Sequence, residues 1–100
     1  MTREIRLSEA ARTDLIEIWA ETSHKWGPDQ ADRYLDDIEH SLNGLLENPR
    51  IGTDCSDLLP GCRRLITGRH LAFYEVDGAT IFVIRVLHQS MDVPRHLRDR

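Results

Sequence analysis

The strongest constraint on the fold is a β-hairpin pattern in the last third of the chain. Two runs rich in β-branched and aromatic residues, 70–76 and 80–88, flank the dipeptide Asp77-Gly78. This dipeptide favours a two-residue type I′ turn, because both central residues of such a turn have positive φ. Strict alternation in the second run gives two mostly apolar faces: Ile81, Val83, Arg85 and Leu87 on one, and Phe82, Ile84, Val86 and His88 on the other. A strand covered on both faces lies inside a sheet, so we predict a central position for it.

Two amphipathic helices precede the hairpin. Residues 4–7 alternate and predict a short first strand. Ser8 is a suitable N-cap for a first helix that ends at Gly27, a left-handed C′ position. Apolar residues recur along this helix at helical spacing: Ala11, Leu15, Ile18, Trp19, Thr22 and Trp26. We predict Trp19 in the core and Trp26 half-exposed near the helix end.

The remaining segments complete a single domain over 1–100. Pro28 begins the second helix, and Asn48-Pro49 ends it. An irregular loop over 49–61 leads to a strand at 62–67, and Gly68-Arg69 turns the chain into the hairpin. The element order β-α-α-β-β-β predicts an α+β fold, with an N-terminal strand, an antiparallel helical hairpin on one face of an antiparallel sheet, a three-stranded antiparallel meander and a short C-terminal tail or turn.

Charge is divided unevenly along the chain. The net charge is −4, with −7 in residues 1–60 and +3 in residues 61–100. Proteins that bind nucleic acid on their own are usually basic overall, so we expect no direct sequence-specific DNA binding. No apolar run approaches the ~20 residues of a membrane span, and no secretory signal is evident. We therefore expect a cytoplasmic protein that does not associate with membranes.

The cysteines and histidines predict neither a metal nor a cofactor. Cys55 and Cys62 flank a loop containing Pro60-Gly61, which places them to come close, although a reducing cytoplasm favours two thiols. A metal site needs further ligands at suitable spacing. The histidines at 24, 40, 70, 88 and 96 form no such cluster with the cysteines.

Five segments, in order over almost the whole chain, carry a resemblance to a known family: Leu7–Leu15, Asn48–Gly52, Pro60–Arg63, Gly68–Tyr74 and Arg85–Asp92. The chain resembles the ParE branch of the RelE/ParE superfamily of type II toxins. The resemblance implies a growth-arresting, plasmid- or chromosome-stabilising bacterial toxin that inhibits DNA gyrase without catalysis. It also implies neutralisation by a ParD-like antitoxin in a hetero-oligomer, a heterotetramer or larger. Two alternatives stay open: a RelE-like ribosome-dependent mRNA endonuclease, and a degenerate toxin that only binds its antitoxin.

Four arginines and one histidine are the residues on which catalysis would depend: Arg63, Arg64, Arg69, Arg85 and His88. In a nuclease the arginines would stabilise the scissile phosphate, and His88 would act as general acid or base. Structural roles are the alternative, with Arg63 and Arg64 on opposite faces of an edge strand and Arg85 paired with Glu75. A RelE-like nuclease is expected to carry more cationic residues and often a C-terminal tyrosine, and the chain has neither Lys nor Tyr after residue 74. We therefore predict no catalytic residues.

The segment from His88 to Leu97 is predicted to belong to the target-binding surface. Asp92 can cap a helical turn through Pro94, which would place Arg95 and Arg98 on one exposed basic edge. Alternatively, Val93 and Leu97 close the core. The residues predicted to bind the target or a partner are Arg63, Arg64, Arg69, Arg85, His88, Met91, Asp92 and Arg95. Both faces of the last strand are apolar, and one helical hairpin can cover only one face of the sheet. We therefore also expect an antitoxin segment to fold on binding and to cover the other face and a groove.

Overall fold

The computed structural model describes residues 2–98, without the side chain of Arg98. Its elements are β1 (Glu4–Leu7), α1 (Glu9–Trp26), α2 (Pro28–Asn43) followed by a 3₁₀ turn (Gly44–Leu46), β2 (Thr53–Asp54), β3 (Arg63–Thr67), β4 (His70–Asp77), β5 (Thr80–His88) and α3 (Val93–Arg98). The predicted α+β fold and its element order are confirmed. The two-residue strand β2, inside the loop predicted as irregular, was missed, and α2 ends at Asn43, before the predicted end at Asn48-Pro49.

The five strands form one sheet in the order β1-β5-β4-β3-β2. The predicted interior position of β5 is confirmed, since β1 and β4 flank it. The meander β3-β4-β5 is antiparallel, whereas β1 pairs parallel with β5, with Leu7 opposite Val83. The prediction of a wholly antiparallel sheet is therefore wrong at β1. The helical hairpin supplies the long crossover that a parallel pair requires.

The tight turn between β4 and β5 lies one residue later than predicted. Asp77 pairs with Thr80, so the two central residues are Gly78 and Ala79. Only Gly78 has positive φ, at 58°, and no non-glycine residue in the described chain does. The type I′ prediction centred on Asp77-Gly78 is therefore wrong. A type II′ turn has positive φ only at its first central position, which favours glycine there, and this matches Gly78. Asp77 remains paired with Thr80 in the β4–β5 pair.

A β-bulge in β5 changes which face its last residues present. Phe73 is opposite Arg85 while Tyr74 is opposite Val83, so Ile84 is an extra residue in its strand. A bulge inverts the alternation beyond it. Val86 therefore joins the helix-side core, and Leu87 joins Ile84 on the opposite face. The strict alternation predicted for β5 is wrong after Ile84.

Two apolar clusters cover the two faces of the sheet. The helix-side cluster includes Ala11, Ile18, Ile38, Leu42, Tyr74 and Ile81. The opposite cluster is closed by the 55–62 loop and by α3, and it contains Cys55, Cys62, Phe73, Ile84, Leu87 and Leu97. The expectation that a partner must cover this second face is wrong, because the chain covers it with its own segments.

The two tryptophans of α1 are more exposed than predicted. Trp19 is 38% exposed, and its indole nitrogen donates a hydrogen bond to Asp32 on α2, at 2.8 Å. Its predicted core position is wrong, because the buried face of α1 runs through Ala11, Asp14 and Ile18 instead. Trp26 is 73% exposed rather than half-exposed. No helix within residues 2–98 has the length and apolar character needed to span a membrane.

Candidate functional site

Arg85 is held by a carboxylate on α1. Its Nε and Nη2 each donate to Asp14 at 2.8 Å, and its Nη1 donates to the carbonyl of His96 at 3.0 Å. Asp14 also accepts the backbone N–H of Val86 at 2.9 Å. Both side chains are largely buried, 12% and 7% exposed. The predicted partner Glu75 lies opposite Phe82 instead, so that pairing is wrong. Arg85 thus joins α1, β5 and α3.

Arg63 holds the loop that precedes the meander. Its Nε donates to the carbonyl of Gly52 and its Nη2 to that of Arg50, both at 3.1 Å. Strand β2 pairs with the outer side of β3, so the prediction that Arg63 and Arg64 lie on an edge strand is wrong. Arg64 remains exposed, and its side chain is available to a partner.

Tyr74 fixes the same loop from within the core. Its hydroxyl donates to the carbonyl of Pro49 at 2.8 Å and accepts the N–H of Gly52 at 2.9 Å. A Cβ at position 52 would collide with the hydroxyl of Tyr74 and with the carbonyl of Arg64. Glycine is therefore required by close approach. The sequence motifs contain both residues, but their contact depends on a sheet register that no local pattern predicts.

The structure brings two predicted residues, Arg69 and His88, into one cleft. The cleft is about 420 Å³ and lies between the end of the helical hairpin and the β3–β4 turn. Its other walls include Glu21, Lys25, Trp26, Tyr34 and His70. We call this space the histidine cleft. Among the polar pockets described here, it gathers the most side chains able to bind a ligand.

A short hydrogen-bonded chain forms the floor of the histidine cleft. The hydroxyl of Tyr34 lies 2.5 Å from Nδ1 of His70 and accepts the backbone N–H of Arg69 at 3.1 Å. The ring of His70 meets that of His88 edge to face, with centroids 5.2 Å apart. Burial, and the neighbouring His88, lower the pKa of His70. Sequence reasoning missed the pairing of Tyr34 with His70. The two positions are 36 residues apart, Tyr34 lies in none of the five segments, and His70 is only one member of the segment Gly68–Tyr74.

The C-terminal segment combines exposed and core residues. Met91 is 39% exposed, and Asp92 accepts the backbone N–H of Arg95 at 3.3 Å, so the predicted cap is confirmed. Arg95 is exposed, whereas the side chain of Arg98 lies outside the described part of the chain. Leu97 is 1% exposed, and with Val93 it packs in the opposite cluster. The core-closing alternative for these two residues is therefore confirmed.

A second concave surface is apolar and runs beside β1. This groove of about 370 Å³ is lined mainly by Ile5, Leu7, Leu15, Leu35, Ile38 and Leu42. Strand β1 is the outermost strand of the sheet, so one of its sides has no neighbouring strand among residues 2–98. We call this surface the β1 groove. None of the predicted target-binding residues lines it.

The two cysteines are buried and are not joined by a disulfide. The backbone N–H of Cys55 donates to the carbonyl of Cys62 at 2.9 Å, which places the residues opposite each other. Burial raises the pKa of the Cys55 thiol, which favours its protonated form. Within residues 2–98, no three His, Cys, Asp or Glu side chains are grouped closely enough to hold a metal ion.

Known proteins resemble this chain over nearly its full length. The family model described as ParE toxin of type II toxin-antitoxin system, parDE, matches residues 5–93. Toxin ParE1 of Mycobacterium tuberculosis is 48% identical over 98 residues, covering 97% of this chain and 100% of the relative. Toxin ParE1 of Caulobacter vibrioides is 39% identical over 92 residues, covering 92% of this chain and 95% of the relative.

A solved structure shares the fold. The chromosomal ParDE TA system from P. aeruginosa contains a chain that superposes with a TM-score of 0.77 at 22% identity, covering 87% of this chain and 96% of that one. The sheet and helical hairpin described above are therefore an arrangement already seen in a toxin-antitoxin system.

Proposed function

This chain belongs to the ParE toxin family of type II toxin-antitoxin systems, and on that premise we propose that it inhibits DNA gyrase by binding and that a ParD-like antitoxin neutralises it. The observation that carries the proposal is the match to the family over residues 5–93. The same activity requires no catalytic group, only a surface that fits the target. Binding without chemistry is thus our proposal for the mechanism.

The β1 groove is the surface we propose for the antitoxin. Its lining is apolar, and the free side of β1 offers backbone N–H and C=O groups that an added strand can pair. An amphipathic segment that is disordered when free would order along both features, offsetting its lost entropy by apolar burial. Glu39 at the rim favours a segment with a basic residue at that point.

The exposed members of the predicted set are the residues we propose for the target. Arg64, Arg69 and Arg95 are exposed, and Met91, on the C-terminal segment with Arg95, is 39% exposed. His88 and Asp92 complete the proposed surface, whereas Arg63 and Arg85 position the loop and α3 beneath it. Arginine suits this role because its planar fork binds carboxylates and phosphates in two-point contacts.

Gyrase inhibition and mRNA cleavage are distinguished by assaying both activities with the same protein. The purified chain is added to a gyrase supercoiling reaction and to a translating extract in which mRNA integrity is followed. We expect supercoiling to stop while mRNA stays intact, and Arg69→Ala to weaken inhibition while Arg33→Ala, an exposed arginine on α2, does not. mRNA cleavage that His88→Ala abolishes would establish the RelE-like alternative instead.

The antitoxin surface is tested with a pair of substitutions of the same kind. Leu35→Arg places a charge in the β1 groove, whereas Ile51→Arg places one at a site that is already 61% exposed. We expect only Leu35→Arg to weaken binding of a ParD-like antitoxin, with gyrase inhibition retained by both variants. Circular dichroism checks that both remain folded. Equal antitoxin affinity of the two variants would place the interface elsewhere.

A further inference from the structure

The histidine cleft presents hydrogen-bond donors from several directions. Lys25 and Arg69 are cationic and carry only donors, and the indole of Trp26 is likewise a donor. The hydroxyl of Thr22, also in the wall, donates to the carbonyl of Ile18 at 2.7 Å. Glu21 is the one carboxylate among the lining residues. With Lys25 and Arg69 positive, Glu21 negative and both histidines neutral, the described lining has a net charge of +1.

The hydrogen-bonded chain fixes His70 with its remaining donor free. Because Arg69 N–H donates to the Tyr34 oxygen, the Tyr34 hydroxyl hydrogen is available to Nδ1 of His70. We assign this hydroxyl as the donor to Nδ1, which places the hydrogen of the neutral ring on Nε2. His70 is 9% exposed, and its Nε2 makes no hydrogen bond with any described residue. Every fully buried side-chain nitrogen or oxygen in residues 2–98 has a hydrogen-bond partner. Because the Nε2 atom of His70 has none there, it is not fully buried, and its N–H reaches the open space of the cleft.

His88 is arranged in the same way. Its Nδ1 accepts the backbone N–H of Ser90 at 3.1 Å and lies 2.6 Å from the Ser90 hydroxyl. A backbone N–H can only donate, so the hydrogen of the neutral ring is on Nε2. Two imidazole rings, 5.2 Å apart between centroids, thus each have a donor that no residue within 2–98 accepts.

Hydrogen-bond donors that surround one positively charged space favour a negatively charged ligand with many hydrogen-bond acceptors. We propose that the histidine cleft binds a nucleoside phosphate, with its phosphate among Lys25, Arg69, His70 and His88 and its base stacked on Trp26. The phosphate oxygens are acceptors only, and the exposed indole offers a face on which any base can stack. The cleft volume of about 420 Å³ falls in the range of small-molecule sites.

The proposal also predicts how affinity changes with pH. Protonating His70 adds a positive charge beside the phosphate and strengthens binding while the phosphate keeps both of its negative charges. Burial and His88 lower the pKa of His70, whereas Glu21 and Asp14 raise it. The cationic side chains of Lys25 and Arg69 line the same cleft. Because burial lowers the pKa of His70, this gain is expected below pH 6.5. A phosphate monoester, whose second pKa is about 6, loses charge over the same range and reduces the gain.

The test is calorimetric titration of the full chain with AMP, in the absence of gyrase and antitoxin. We expect saturable binding with a dissociation constant below about 1 mM. Arg69→Gln should weaken AMP about 10- to 150-fold, the range for one hydrogen bond to a charged group. Trp26→Ala should weaken AMP about 5- to 150-fold while leaving inorganic phosphate unaffected. Both side chains are exposed, so these variants are expected to fold.

Matched controls and competing ligands make the result decisive. Arg33→Gln and His40→Gln change exposed residues of the same types outside the cleft and should leave AMP affinity unchanged. A short single-stranded oligonucleotide that displaces AMP identifies nucleic acid as the source of the nucleotide, and failure to displace it identifies a free nucleotide. No AMP binding, or binding that Arg69→Gln and Trp26→Ala leave unchanged, would overturn the proposal. Because the assay contains no gyrase, its outcome is independent of the proposed inhibition.

Discussion

Replacing Asp14 by alanine should destabilise the fold severely without touching any exposed surface. The change removes the acceptor for two hydrogen bonds from Arg85 and one from Val86, and a guanidinium that is 12% exposed loses its paired Asp14 carboxylate. Removing one partner of a buried ion pair lowers the free energy of unfolding by about 3–5 kcal/mol, and we count the lost hydrogen bond of the Val86 N–H within that range. We therefore expect a loss of about 4 kcal/mol from a total of about 5–15 kcal/mol for a domain of this length.

Urea unfolding followed by circular dichroism measures this loss. With a slope of about 2 kcal/mol per molar, the midpoint should fall by about 2 M. The double variant Asp14→Ala with Arg85→Met removes both charges, so it should be more stable than the sum of the two single changes predicts. Glu4→Ala serves as the control, because the Arg6–Glu4 pair is exposed and should contribute less than about 1 kcal/mol. Equal effects of Asp14→Ala and Glu4→Ala, or additivity in the double variant, would refute a buried structural pair.

Three further perturbations follow from buried contacts. Tyr74→Phe removes the partner of Pro49 and Gly52 and should cost about 1–3 kcal/mol by urea unfolding; an unchanged midpoint would show that water replaces the hydroxyl. Leu97→Ala should cost about 2–5 kcal/mol, measured by thermal unfolding, because it opens a cavity in the opposite cluster; a small effect would show that α3 is dispensable for stability. Since the pKa of folded His70 lies below 6.5, the unfolded chain binds its proton first, so stability should fall as pH drops below about 6.5. His70→Gln should reduce that slope in pH-dependent unfolding, and an unchanged slope would contradict the assignment.

The sequence predicted the elements whose signals are local. Ser8 caps α1 by accepting the N–H of Ala11 at 2.9 Å, and Pro28 begins α2 as its position suggested. Asp92 likewise caps α3. Each of these signals depends on a side chain and on backbone groups within three residues, so the pattern contains all the information required.

The features that the sequence did not predict depend on distant partners. The bulge at Ile84 appears only when β4 and β5 are in register, and it determines which side of the sheet Val86 and Leu87 occupy. Arg85 is hydrogen-bonded to Asp14, 71 positions away in the sequence, and Tyr34 to His70, 36 positions away. A local pattern offers many equally plausible partners for such side chains, and the packing of the whole sheet selects among them.

The parallel pairing of β1 with β5 has a consequence for how the protein is made. Glu4 pairs with Thr80, so the first strand cannot join the sheet until almost the whole chain has been synthesised. At about 5–20 residues per second, the ribosome needs about 2–9 s to proceed from the end of α2 to the end of β5. During that interval the apolar stripes of both helices lack the sheet that covers them. We expect an antitoxin that recognises the hairpin side of the β1 groove to engage the nascent chain, and ribosome-bound truncations ending before β5 would reveal such capture. Neutralisation would then begin during translation, before a folded toxin has been released.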